Sequence, residues 1–149
     1  MANKCKFCFT KTKENLSQCP ICKIMFNKTK KELTREEIGT WHAARNLYIV
    51  ATLLVIGGVF NTVHSLIIMS DPRNSPILGL VLLALAICTM VIGFGLHKYK
   101  QWCYIGSIIL LSAITLLNLL ALHPTAIISG IFLYIVASKK SKKLLYKEI

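Results

Sequence analysis

Two Cys-x-x-Cys pairs stand close together in this chain, Cys5 with Cys8 and Cys19 with Cys22. Each pair can form a tight turn that aims both sulfurs at one point, and the ten residues between them are enough to bring the second turn back onto the first. Four thiolates converging in this way close a tetrahedron around zinc, so Cys5, Cys8, Cys19 and Cys22 are expected to be metal ligands. A site with four cysteine ligands leaves no open position for a substrate. The chemistry expected of it is the folding of a segment too short to own a core, and no catalytic residue is assigned.

A second group of polar side chains lies inside apolar sequence. Asn61, His64 and Ser65 are spaced i, i+3, i+4 and so share one face of a helix, with Asn118 and His123 at a comparable depth on another. These five residues form a candidate polar site within the membrane. Asn and Ser in such places usually join helices, and they are also the residues that would line a passive path. The four histidines suggest a further arrangement. His42 and His97 fall near one end of the apolar segments, and His64 and His123 near the other, which is how paired histidines hold haem in membrane cytochromes. Cys88 and Cys103 sit singly in apolar surroundings and are given no role.

The elements that must position these groups are written in the hydropathy. Of 149 residues, 54% are hydrophobic, and the mean hydropathy is +0.58. Three apolar runs, about 47–69, 77–96 and 102–122, contain no Asp, Glu, Lys or Arg. About 20 helical residues cross a hydrocarbon core of about 30 Å, so each run is long enough to span a membrane. A fourth run, about 124–138, is shorter. Pro124 suits a first helical turn, and the following "KKSKKLLYK" is expected to continue that helix to about residue 146 with its lysines reaching the headgroups. Short connections make successive helices antiparallel neighbours. The expected fold is an all-α membrane protein: a four-helix up-down bundle over residues 47–146, preceded by a zinc ribbon (1–27) and a basic juxtamembrane helix (28–46). Thr34 and Glu37 form a T-x-x-E capping box, which starts that helix near Arg35.

Charge sets the orientation. Lys and Arg number 18 against 6 Asp and Glu, a net charge of +12. With both termini in the cytoplasm, 17 of the 18 basic residues fall on the cytoplasmic side and only Arg73 lies outside, as the positive-inside rule requires. Topology thus accounts for the basic balance, and nucleic acid is not an expected partner. Trp41, Tyr48, Tyr99, Trp102 and Tyr104 mark the inner interface. No secretory signal is expected, because the first apolar run begins only near Leu47. A cytoplasmic ribbon lies where thiols stay reduced, which favours metal over disulfide.

The cysteine spacing resembles the short zinc ribbons found at the ends of many bacterial and archaeal proteins. It is also similar to rubredoxin, which implies iron as the alternative metal on the same four cysteines. The usual pattern is Cys-Pro-x-Cys-Gly. Here the second pair reads "CPICK", with Pro20, the first reads "CKFCF", and both glycines are absent. The resemblance covers residues 5–22. Over its whole length the chain resembles small four-span prokaryotic membrane proteins with an N-terminal zinc ribbon, which implies architecture rather than activity.

A ribbon of this size cannot bury all its hydrophobic side chains, so Phe7, Phe9, Ile24 and Phe26 are a candidate docking surface. Together with the closed metal site and the absence of intramembrane carboxylates, this points to a non-enzymatic accessory or scaffold subunit of a larger membrane complex. Its partners would be the lipid bilayer and either another protein or further copies of itself. The alternatives are a bis-histidine haem or other redox protein, and a homo-oligomeric pore.

Overall fold

The computed structural model describes residues 3–8, 11–12, 16–70, 75–120, 122 and 124–146. Two short strands, β1 (Asn3–Lys4) and β2 (Lys11–Thr12), pair antiparallel with Asn3 opposite Thr12. A 3-10 turn at Lys30–Glu32 follows. The helices are α1 (Arg35–Ser70), α2 (Pro76–His97), α3 (Trp102–Leu120), α4 (Thr125–Ala137) and α5 (Lys139–Tyr146).

Two capping boxes in succession carry the chain from ribbon to helix. Glu32 accepts from the Thr29 N–H at 2.9 Å, and Glu37 accepts from the Thr34 N–H at 2.8 Å. The Glu37 N–H in turn donates to the Thr34 hydroxyl at 3.2 Å. The reciprocal pair expected at Thr34 and Glu37 is therefore present, and Glu36 and Glu37 sit at the positive end of the helix dipole. From there α1 continues without interruption for 36 residues, passing Gly39.

α1, α2 and α3 are each long and apolar enough to cross a membrane, whereas α4 has 13 residues. Their outer surface is apolar. Phe60, Ile77, Leu120 and Ile127 are each at least 70% exposed, while Ser65, Thr89, Ser107 and Ser129 are buried. These hydroxyls are satisfied within their own helices. Ser65 donates to the Asn61 carbonyl at 2.6 Å, Thr89 to Leu85 at 2.8 Å and Ser107 to Tyr104 at 2.9 Å. Large apolar side chains on the outside, and hydroxyls satisfied by their own helices within, are what lipid as solvent favours.

α1 packs most extensively on α2, and α3 on α4. Glycine permits the close approach of the first pair. A Cβ added at Gly93 would stand 3.0 Å from the Ala51 carbonyl and 2.8 Å from Val55, and one at Gly58 would stand 3.0 Å from the Ala86 carbonyl. Gly57 faces open space instead.

The end of the chain departs from expectation. The single helix expected over 124–146 is two helices, because Ser138 adopts an extended ψ of 144° between α4 and α5. Ser138 then caps α5, its hydroxyl accepting from the Ser141 N–H at 3.2 Å. The physical reason lies in Ser141, Leu144 and Leu145, spaced i, i+3, i+4. Turning the chain lays that stripe against α1 and buries all three residues, while the lysines face outward.

Three segments that are distant in sequence meet at one end of the bundle. The ribbon sits on the start of α1. The α2–α3 turn reaches α1 through the Tyr99 hydroxyl, which donates to the Ala44 carbonyl at 3.4 Å. α5 touches α3 through edge-to-face contact of Tyr104 and Tyr146, with ring centroids 5.6 Å apart. The α2–α3 turn is a Schellman cap: the Lys100 N–H donates to the Gly95 carbonyl and the Tyr99 N–H to Leu96, both at 3.0 Å. Tyr99 takes the left-handed position usually given to glycine, with φ at 50°.

Candidate metal centre

The second cysteine pair lies in a small hairpin. The Lys23 N–H donates to the Cys19 carbonyl at 3.0 Å, the Cys19 N–H to the Ile24 carbonyl at 3.0 Å, and the Phe26 N–H to the Ser17 carbonyl at 3.1 Å. The Gln18 amide also reaches the Lys23 carbonyl. Closing this turn requires a left-handed residue directly after Cys22. Glycine adopts that conformation most readily, but here Lys23 does so, with φ of 56°, and the turn is kept.

All four cysteines are fully buried, and their sulfurs lie within 4.8 Å of one another. Cys5 and Cys22 are separated by 3.8 Å, and Cys8 and Cys19 by 3.6 Å. A tetrahedron built on metal–sulfur bonds of about 2.3 Å has edges of about 3.8 Å, which the Cys5–Cys22 and Cys8–Cys19 pairs match closely, so the four residues could hold a metal ion. The crowding also polarises the thiols. Hydrogen bonds from Cys22 and then Cys8 pull the Cys19 thiol down to about 4, while hydrogen bonds with Cys19 and then Cys8 push Cys22 upward. The first thiolate is stabilised by its neighbours and the next is opposed by it, which is the condition a cation relieves.

The ribbon is fastened to α1 rather than standing apart. Phe7 is 2% exposed and meets the edge of Trp41 with ring centroids 5.9 Å apart. The Trp41 indole N–H donates to the Phe7 carbonyl at 2.7 Å. Lys28 and Glu37 form an ion pair at 2.7 Å, and the Lys30 ammonium lies 5.5 Å from the Trp41 ring centre. The cysteines, Phe7, Ile24 and Leu33 belong to one hydrophobic core with Ala44, Leu47 and Val50.

This corrects the expected docking surface. Phe7 and Ile24 are covered by the chain itself, Phe7 against Trp41 of α1 and Ile24 within the same buried cluster, which removes more apolar area from water than a ribbon of about twenty residues can manage alone. Phe26 is half-buried against the same core, and Phe9 lies outside the described residues. Met25 and Leu16 remain exposed at 49% and 45%. Of the expected interface markers, Tyr99 is buried and Trp41 half-buried against the protein, while Trp102 stays 55% exposed.

No protein-family model, curated protein or solved structure matches this chain. Its functional reading therefore rests on its own geometry.

The polar set within the helices is brought together. Asn61, His64, Ser65 and Asn118 line one cavity of about 430 Å³, joined by Thr89 and Thr125. Asn61, Thr89, Asn118 and Thr125 also border a second cavity of about 340 Å³, lined in addition by Ile128 and Phe132. His123 lies outside the described residues. Thr89 and Thr125 are additions to the expected set, since threonine in an apolar run carries little signal in sequence. The histidines at the other end have separate partners. His97 lies 3.3 Å from the Thr52 hydroxyl and edge-on to Tyr48, while His42 stacks on Trp41 at 4.6 Å.

Proposed function

We propose that this chain is a four-span integral membrane protein with both termini in the cytoplasm. Its N-terminal four-cysteine zinc site is structural, and it serves as an accessory or scaffold subunit of a membrane assembly. The observation that carries this reading is the sealed cysteine cluster, fully buried and built into the same core as the start of α1. A zinc ion held by Cys5, Cys8, Cys19 and Cys22 would supply a cross-link and offer no position to a substrate. The orientation is supported by the distribution of 17 of 18 basic residues and by the gathering of ribbon, α2–α3 turn and α5 at one end. The fourth span is supported by the extensive packing of α4 on α3, despite its length. Metal analysis of protein purified from membranes, combined with native mass measurement and partner identification, tests the reading. A strictly monomeric protein without partners would sink the subunit role, and a metal-free protein would sink the zinc site.

A homo-oligomeric passive path is the second reading. It is favoured by the convergence of Asn61, His64, Ser65 and Asn118 on one cavity. Liposome conductance tests it: a flux that is unchanged in the Asn61→Leu and His64→Ala variants removes the cavity from any path.

A further inference from the structure

At the ribbon end of the bundle, a cleft of about 370 Å³ opens between the first turns of α1 and the break between α4 and α5. We propose that this cleft binds the phosphate headgroup of an anionic membrane lipid. Arg35 and Lys140 bring cationic groups to it, His42, Asn46 and Ser138 add hydrogen-bonding groups, and no carboxylate lines it among the described residues. Phosphate is the anion that such a set recognises, with Arg supplying a planar fork and Lys a point charge.

Two further observations favour a lipid over a free anion. The wall of the cleft is apolar, formed by Ile38, Ala43, Tyr134 and Ile135. Its position coincides with the change in hydropathy on both helices. α1 turns apolar at Leu47, just past Asn46, and α4 stays apolar until Ala137, just before Lys139 and Lys140. A group bound there would have its phosphate among the cations and its acyl chains beside Tyr134, which is 78% exposed. Gly39 contributes by omission. A methyl group there would collide with the Lys140 ammonium, which crosses the helix at that point. The break at Ser138 is what brings Lys140 back over α1, and a continuous helix would carry it away.

The inference rests on the membrane reading above, and the test separates the two. Full-length protein is purified in mild detergent and titrated with short-chain phosphatidylglycerol, short-chain phosphatidylcholine and inorganic phosphate. Bound lipid is read by native mass spectrometry. Phosphatidylglycerol is expected to bind in preference to phosphatidylcholine. The R35Q/K140Q double variant should bind it about thirtyfold more weakly, the scale of two basic contacts, while K98Q/K100Q, with equal charge loss outside the cleft, keeps wild-type binding. Equal weakening in both double variants, no preference between the lipids, or displacement of the lipid by low millimolar phosphate would each overturn the proposal. Release of the protein from membranes by alkaline carbonate would instead overturn the membrane reading, whatever the lipid result.

Discussion

The indole N–H of Trp41 donates to the backbone carbonyl of Phe7 at 2.7 Å, while the two rings meet edge to face. This contact joins the four-cysteine segment to the long first helix. It makes one side chain both the cover of the ribbon's aromatic core and the donor to a backbone acceptor within it.

Trp41→Phe keeps much of the ring but removes the donor, and should weaken the attachment by about 1–3 kcal/mol, the cost of leaving a buried acceptor unmade. Trp41→Ala removes both and should do more. Limited proteolysis between residues 23 and 34, together with the rate of metal loss to a chelator, measures the effect. Rates in Trp41→Ala equal to wild type would show that the ribbon is held elsewhere.

Serine at any one of Cys5, Cys8, Cys19 or Cys22 should lower bound zinc from about one ion per chain to a small fraction, since each supplies one of four ligands. Serine at Cys88 or Cys103 should leave the stoichiometry unchanged. Elemental analysis after gel filtration decides. Stripping the metal from wild-type protein should expose the buried thiols to an aqueous alkylating reagent and raise proteolysis in the same region.

Lys23→Gly should strengthen metal retention. A non-glycine residue in the left-handed region carries a cost of about 1–2 kcal/mol, partly offset by the freedom glycine has in the unfolded chain, leaving a net gain of about 0.5–1 kcal/mol. Competition against a chromophoric chelator would read this as a severalfold higher affinity. A lower affinity would mean that the Lys23 side chain contributes more than its backbone strain costs.

The Glu32 carboxyl is held below its ordinary range, chiefly because the Thr29 N–H donates to it. Its folded pKa lies below the unfolded one, so its contribution is complete at neutral pH and fades as the pH falls through the folded value. The difference in thermal stability between wild type and Glu32→Gln should be present from pH 7 down to about pH 4, the ordinary carboxylate value, and shrink only as the pH falls below it. Comparing the two proteins cancels the metal loss that acid causes in both. A difference that grows on acidification would contradict the assignment.

Gly93→Ala should destabilise the α1–α2 pair by about 1–3 kcal/mol, because its methyl meets backbone that cannot move aside cheaply. Gly57→Ala, on α1 at a position that faces open space, should be neutral or gain up to about 1 kcal/mol from helix propensity. Thermal unfolding in detergent compares them, and equal effects would place the close approach somewhere other than Gly93.

Much of this architecture is legible in the sequence because it depends on periodicity and on local chemistry. The three long apolar helices follow from uninterrupted hydropathy, and the start of α1 follows from Thr34 and Glu37 three residues apart. The cysteine cluster follows from a spacing that admits few other arrangements. What escapes depends on partners far along the chain. Trp41 carries the same interface signal as Trp102, and only its contact with Phe7 distinguishes them. Lys23 and Tyr99 occupy left-handed positions because surrounding hydrogen bonds demand it, against their own preference. The break at Ser138 is readable in principle, from a serine three residues before another and a buried stripe at Ser141, Leu144 and Leu145. The stronger signal of the basic tail masks it. The cavity shared by Asn61, His64, Ser65 and Asn118 combines one local face with a packing choice between helices that sequence alone leaves open.

The sequence separations of the contacts at the ribbon end give them an order in time. The sulfurs of Cys5 and Cys22 are 17 residues apart, the Trp41–Phe7 bond spans 34, the Gln101–Tyr146 bond 45 and the Tyr99–Ala44 bond 55. Short loops close at the least entropic cost, and chains are made from the N-terminus at about 5–20 residues per second. The cysteine cluster can therefore be complete while its docking helix is still being synthesised. The start of α1 can then meet a surface that is already formed, and the α2–α3 turn and α5 can close over that joint only after those later segments have been made.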